Sequence, residues 1–128
     1  MARAGETFFR VSGPTGSHLN VVLCDPTDFP TYRTQSVICV DICSLEEVVW
    51  HDQTVVLSPG DHPFIRRASY VNYSQAAVHH AASLENLVGR VRGYDAAEAV
   101  TYALLVRLRD GAVRSGHTLR DIQSFLRA

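Results

Sequence analysis

The segment Gly60-Asp61-His62-Pro63-Phe64-Ile65-Arg66-Arg67-Ala68-Ser69-Tyr70-Val71-Asn72-Tyr73 packs a histidine, two arginines, a serine and two tyrosines into one short span. An imidazole can take and give a proton near neutral pH. Guanidinium groups bind phosphate through paired donors, and hydroxyls add further hydrogen bonds. Pro63 fixes its own φ and biases His62 toward extended backbone, which predicts a turn that displays the imidazole at the start of a strand. The same residues also suit an ordinary Pro-Gly turn that sends Phe64 and Ile65 into a core.

A second histidine with similar placement is His18, just ahead of the apolar run 19–23. Metal-free RNA cleavage requires a base for the 2′-hydroxyl, an acid for the leaving 5′-oxygen and a cation near the phosphate. His18 and His62 are candidates for the acid and base, Arg66 or Arg67 for the cation, and Ser69 or Tyr73 for a hydrogen-bond donor. Tyr70 and Ser44 are further candidates for contact with RNA. Each also has a plainer role. His18 suits a strand end, Tyr70 and Tyr73 suit half-buried barrel positions with hydroxyls reaching water, and Ser44 suits the start of a turn into Leu45-Glu46-Glu47.

The pairs His79-His80 and His51-Asp52 suggest metal ligands, but adjacent side chains on a strand point apart. Cys39 and Cys43, four apart on a strand, make a poor chelating pair. No metal site and no cofactor are therefore expected. Gly13-Pro14-Thr15-Gly16 lacks the lysine and helix of a phosphate-binding loop, and no GxSxG elbow occurs.

Composition bounds the rest. The chain has 128 residues, is 46% hydrophobic and carries a formal charge of -1, which fits a single domain with its own core. All 12 basic residues are arginine. Guanidinium groups suit phosphate recognition on chemical grounds, and the plainer reading, which outweighs it, is a GC-rich genome that favours arginine codons. With acids and bases nearly balanced, any nucleic-acid contact must be local. The odd number of cysteines, each in apolar surroundings, argues for reduced and packed thiols. No apolar run is long enough to span a membrane and residues 1–10 lack a signal-peptide core, so a soluble cytoplasmic protein is expected.

The elements that must position these groups divide the chain. Strands are expected at 7–11, 19–24, 36–44, 48–50, 54–57 and 69–73, with turns at Gly13-Pro14, at 25–30 and at Ser58-Pro59-Gly60. Helices are expected from Asp95, through an acidic capping box with Glu98, to a stop at Asp110-Gly111, and again from Thr118 with Leu119, Ile122, Phe125 and Leu126 on one face. A shorter helix near 83–88 would end at Gly89 or Gly93. The fold class is α+β, a small antiparallel barrel over residues 1–75 followed by a mostly helical tail over 76–128.

The order of the strand beginning at His18, the strand 36–44 ending in Ser44, and the segment 60–73 resembles the MazF/PemK/Kid class of bacterial toxins over roughly residues 5–75. The resemblance implies an SH3-like barrel that forms a homodimer. It further implies a metal-independent endoribonuclease acting on single-stranded RNA and neutralised by a cognate antitoxin. In that family a catalytic arginine stands just before the second strand, where this chain has His18-Leu19. A catalytic threonine or serine stands near the end of the third, where it has Ser44. The competing expectations are a non-catalytic binding module and a phage or plasmid accessory protein that recognises a protein or nucleic-acid partner.

Overall fold

A computed structural model describes residues 2–11, 16–29, 34–47 and 50–127. Its strands are β1 (Thr7–Val11), β2 (Ser17–Val22), β3 (Thr27–Asp28), β4 (Gln35–Ser44), β5 (Val56–Leu57), β6 (Ser69–His80) and β7 (Ala96–Ala97), and its helices are α1 (Ala81–Leu87), α2 (Tyr102–Arg114) and α3 (Arg120–Arg127). The strands form one 7-stranded sheet in the order β5-β6-β4-β2-β1-β7, with β3 beside β4. Every pairing is antiparallel. The sheet curls into an open half-barrel, so the fold is α+β as expected.

Strand alternation gives the sheet two faces. One carries Leu19, Val21, Ile38, Val40, Ile42, Val71 and Tyr73, and it buries them beneath Leu104, Leu108 and Ala112 of α2 and Ile122 and Leu126 of α3. The other packs Phe8, Val22, Val37 and Cys39 against Ala81 and Leu84 of α1. Cys24, Cys39 and Cys43 are reduced cysteines, all buried.

Several elements depart from the sequence reading. β6 runs seven residues past Tyr73, because the register jumps from Asp41↔Asn72 to Cys39↔Ala77 and the bulged residues between hide the continuing period. No helix starts at Asp95. The β1 edge captures residues 96–97 instead, with Phe9 N–H donating to Asp95 C=O and the Thr7 hydroxyl to Glu98 C=O. The helix begins after Thr101, whose side chain accepts from Leu104 N–H at 3.2 Å.

Gly111 is no stop, since α2 continues to Arg114. The glycine makes room for Tyr73: a Cβ there would lie 2.2 Å from the Tyr73 hydroxyl, which donates to Leu108 C=O at 2.8 Å. In α3, Ile122 and Leu126 are buried and Phe125 packs on Phe29, whereas Leu119, just ahead of the helix, is exposed. Gln123 ties α3 to the end of α2 by donating to Val113 C=O at 3.0 Å and Ser115 C=O at 2.8 Å. The expected turn at Gly13-Pro14 and the first two residues of the expected strand 48–50 lie outside the described residues, and Trp50 sits in a bend. No helix among the described residues is long and apolar enough to cross a membrane.

Candidate functional site

The segment 58–68 is built from its backbone needs outward. Gly60 adopts φ +99, a left-handed conformation that favours glycine, and the Asp61 carboxylate accepts Ser58 N–H at 2.8 Å. His62 does not open a strand, because residues 63–64 form a turn, and it does not reach a rim, because only 2% of it is exposed. Its Nδ1 accepts Phe64 N–H at 3.1 Å, so Nε2 carries the proton and donates to Glu98 C=O. Both ring nitrogens are thereby used in closing the loop onto the segment after β7. Ile65 is buried beneath it, while Phe64, Arg66 and Arg67 are left at the surface.

The loop leads into Ser69 of β6, which pairs with Ser44 at the end of β4, and Leu45 N–H donates to Ala68 C=O at 3.1 Å. A cleft of about 250 Å³ opens there, floored by Leu19, Ile42 and Ile65 and walled by Phe9, Phe64, Ser17, Ser44, Arg66, Arg67 and Ser69. Ser44, Arg66, Arg67 and Ser69 of the predicted site thus meet in one place. Their hydrogen bonds are not equivalent. Ser44 Oγ accepts Glu46 N–H at 3.3 Å and keeps its proton for donation, whereas Ser69 Oγ gives its proton to Arg67 C=O at 2.9 Å and keeps lone pairs. Arg67 pairs with Glu46 at 2.9 Å. Arg66 makes no hydrogen bond or ion pair with the described residues.

The other predicted residues lie elsewhere. Ser17 and Leu19 line the cleft, so His18 between them projects from the opposite face. There it and Arg10, its cross-strand partner, act on the Asp41 carboxyl. Burial pushes that carboxyl above the usual carboxylate range, with His18 and Arg10 pulling against it. His18 and His62 therefore do not share the cleft as an acid–base pair. Tyr73 is fully buried in the core rather than reaching water, and burial pushes its phenol well up. Tyr70 is buried too, with its ring 5.5 Å from His51. Neither tyrosine is placed to touch RNA at a rim.

Sequence reasoning missed Ser17, Phe9 and Phe64. The alternation Ser17-His18-Leu19, anchored on buried Leu19, was the available signal for Ser17. A larger depression of about 520 Å³ between the start of β4 and α1 is lined, among the described residues, by His80 and Glu85 and by no arginine. Among the described residues, no three His, Cys, Asp or Glu side chains come together as a metal set.

No family model, curated protein or solved structure matches this chain. The cleft is accordingly read from its own chemistry. Free guanidinium and hydroxyl donors over an apolar floor suit a phosphodiester, whose non-bridging oxygens accept and whose ribose packs on aliphatic carbons.

Proposed function

We propose that the chain is the toxin of a bacterial toxin–antitoxin pair, a metal-independent endoribonuclease whose cleft between β2, β4 and the 58–68 loop binds single-stranded RNA. One observation carries this reading. Ser44 at the end of β4, where the resemblance puts a catalytic threonine or serine, lines one cleft with Arg66, Arg67 and Ser69, whereas His18 projects from the opposite face. The arginine lacking before β2 is supplied from the loop before β6. The SH3-like barrel, the homodimer, the cytoplasmic setting and the antitoxin partner belong to the same proposal.

In the reaction the 2′-oxygen attacks phosphorus and the bond to the 5′-oxygen breaks, giving a 2′,3′-cyclic phosphate and a free 5′-hydroxyl. Arg66 holds the non-bridging oxygens and offsets the charge that grows on them. Ser44 donates to the same oxygens, and Ser69 accepts from the 2′-hydroxyl and orients it. Among the described residues no imidazole lines the cleft, and in this reading the proton lost from the 2′-hydroxyl goes to water, and water protonates the leaving oxygen. The protein supplies orientation and charge.

Among the described residues the cleft lining holds hydroxyls, arginines and apolar side chains, which equally suits a second reading, a module that binds RNA without cutting it. Induction of the wild type, Arg66→Gln and Ser44→Ala in a bacterial host, followed by mapping of RNA ends, decides between them. New ends in the wild type that vanish in Arg66→Gln support the enzyme. RNA captured by the wild type with no new ends supports the module, and neither capture nor cleavage removes both.

A further inference from the structure

We infer that Phe64 is a stacking platform for an unpaired base of the RNA whose phosphate occupies the cleft; the inference rests on the RNA reading above. Pockets that enclose a whole small ligand run to about 300–1,000 Å³. A cleft of about 250 Å³ accepts a phosphate and its ribose but leaves the attached base outside, against a wall. Phe64 is that wall and is 48% exposed.

The ring is braced on two sides. Phe9 meets it edge to face, with centroids 5.0 Å apart and planes at 87°, and the His62 ring lies 5.8 Å away, tilted by 31°. The bond from Phe64 N–H to His62 Nδ1 holds the backbone beneath it. A base settling on Phe64 therefore orders little that is not already ordered, which is what gives a stacking contact its net affinity. The neighbouring guanidinium groups of Arg66 and Arg67 supply the charge that draws the backbone in. Tyr70 and Tyr73, which the sequence offered as contacts for the RNA, are buried and leave stacking to Phe64. The substrate class that follows is single-stranded RNA with an accessible base beside the bound phosphate. In a duplex the bases stack on one another and their faces are closed.

The test uses the whole chain and fluorescence anisotropy at one fixed salt concentration. The probes are a labelled random-sequence single-stranded 2′-O-methyl RNA, which cannot be cut by 2′-oxygen attack, and an abasic oligomer of equal length. The expected result is that Phe64→Ala weakens RNA binding about tenfold, toward the low end of what one stacked base contributes. Abasic binding and the salt slope should stay unchanged, and Phe64→Trp should restore RNA affinity. Equal RNA binding by Phe64→Ala and wild type, or equal wild-type affinity for both probes, overturns the inference and leaves the RNA reading standing. A wild type that binds neither probe overturns the RNA reading and this inference with it.

Discussion

Ser17 and His18, Ser44 and Cys43, and Ser69 and Tyr70 are neighbours in the chain, yet each pair divides between the two faces of one sheet. The face toward α2 and α3 ends in an open cleft of hydroxyls and arginines. The opposite face places His18 and Arg10 beside the Asp41 carboxyl, with Cys39 and His79 farther along. A dense run of chemically able residues is therefore not yet a site. A period of two sorts it, and the residues left together are those of one parity.

Charge removal on each face breaks this comparison most directly. Arg66→Gln should lower RNA cleavage, measured by mapped ends or single-turnover rate, by roughly a hundredfold or more, the usual loss when one stabilising donor leaves a reaction site. His18→Ala on the far face should stay within about threefold of wild type, provided circular dichroism shows it folded. The reverse outcome would move the chemistry to the His18 face and sink the cleft.

The support beneath the cleft face comes next. Gly111→Ala forces a methyl to within 2.2 Å of the Tyr73 hydroxyl and 2.5 Å of a Val55 methyl. It should destabilise by about 3 kcal/mol in urea unfolding. Adding Tyr73→Phe removes the nearer contact, so the pair should be less destabilised than the sum of the singles; strict additivity would mean that the phenol does not define that space. His62→Ala leaves Phe64 N–H and Glu98 C=O without their side-chain partner and should cost about 2 kcal/mol. His62→Gln should recover part of that stability, whereas a proton-transfer role would leave Gln as inactive as Ala. Matching activity losses in folded Ala and Gln variants would reopen the acid–base assignment.

How much of this was legible depended on whether the deciding partner was near in sequence. β1 matches its expected bounds and β4 begins one residue early, because alternation and turn residues are local signals. The capping-box pattern at Asp95 and Glu98 was local as well, but Thr7 and Phe9, far away in sequence, draw that stretch into the sheet. Gly111 read as punctuation because Tyr73, the residue that needs the space, lies on another element. Of the residues that the sequence offered for a site, Ser44, Arg66, Arg67 and Ser69 line one cleft. The histidines were drawn in by residue type, and neither the parity of His18 nor the buried clamp at His62 could be read until Leu19 and Glu98 were placed.

The smallest expected effect separates two aspartates that burial treats alike. Burial alone raises both carboxyls. At Asp41 it wins over the pull of His18 and Arg10, whereas at Asp52 it loses to hydrogen bonds from Ser115 at 2.6 Å and Thr54 at 2.6 Å and to His117 nearby, so Asp52 sits below the usual range. A carboxyl lowered on folding adds stability above its ordinary value of 3.8 and loses it as pH falls through the folded value. A carboxyl raised on folding does the opposite, since ionising it costs stability as pH climbs from 3.8 to the folded value. Asp52→Asn should therefore be less stable than wild type at pH 7, with the gap closing below about pH 4. Asp41→Asn should be more stable at pH 7, with its gap closing on the same side. His79, held low by burial, titrates in all three proteins and cancels from the differences. Urea midpoints at several pH values between 3 and 7 give both curves, and gaps of one sign would show that the hydrogen bonds from Ser115 and Thr54 do not set Asp52 apart from Asp41.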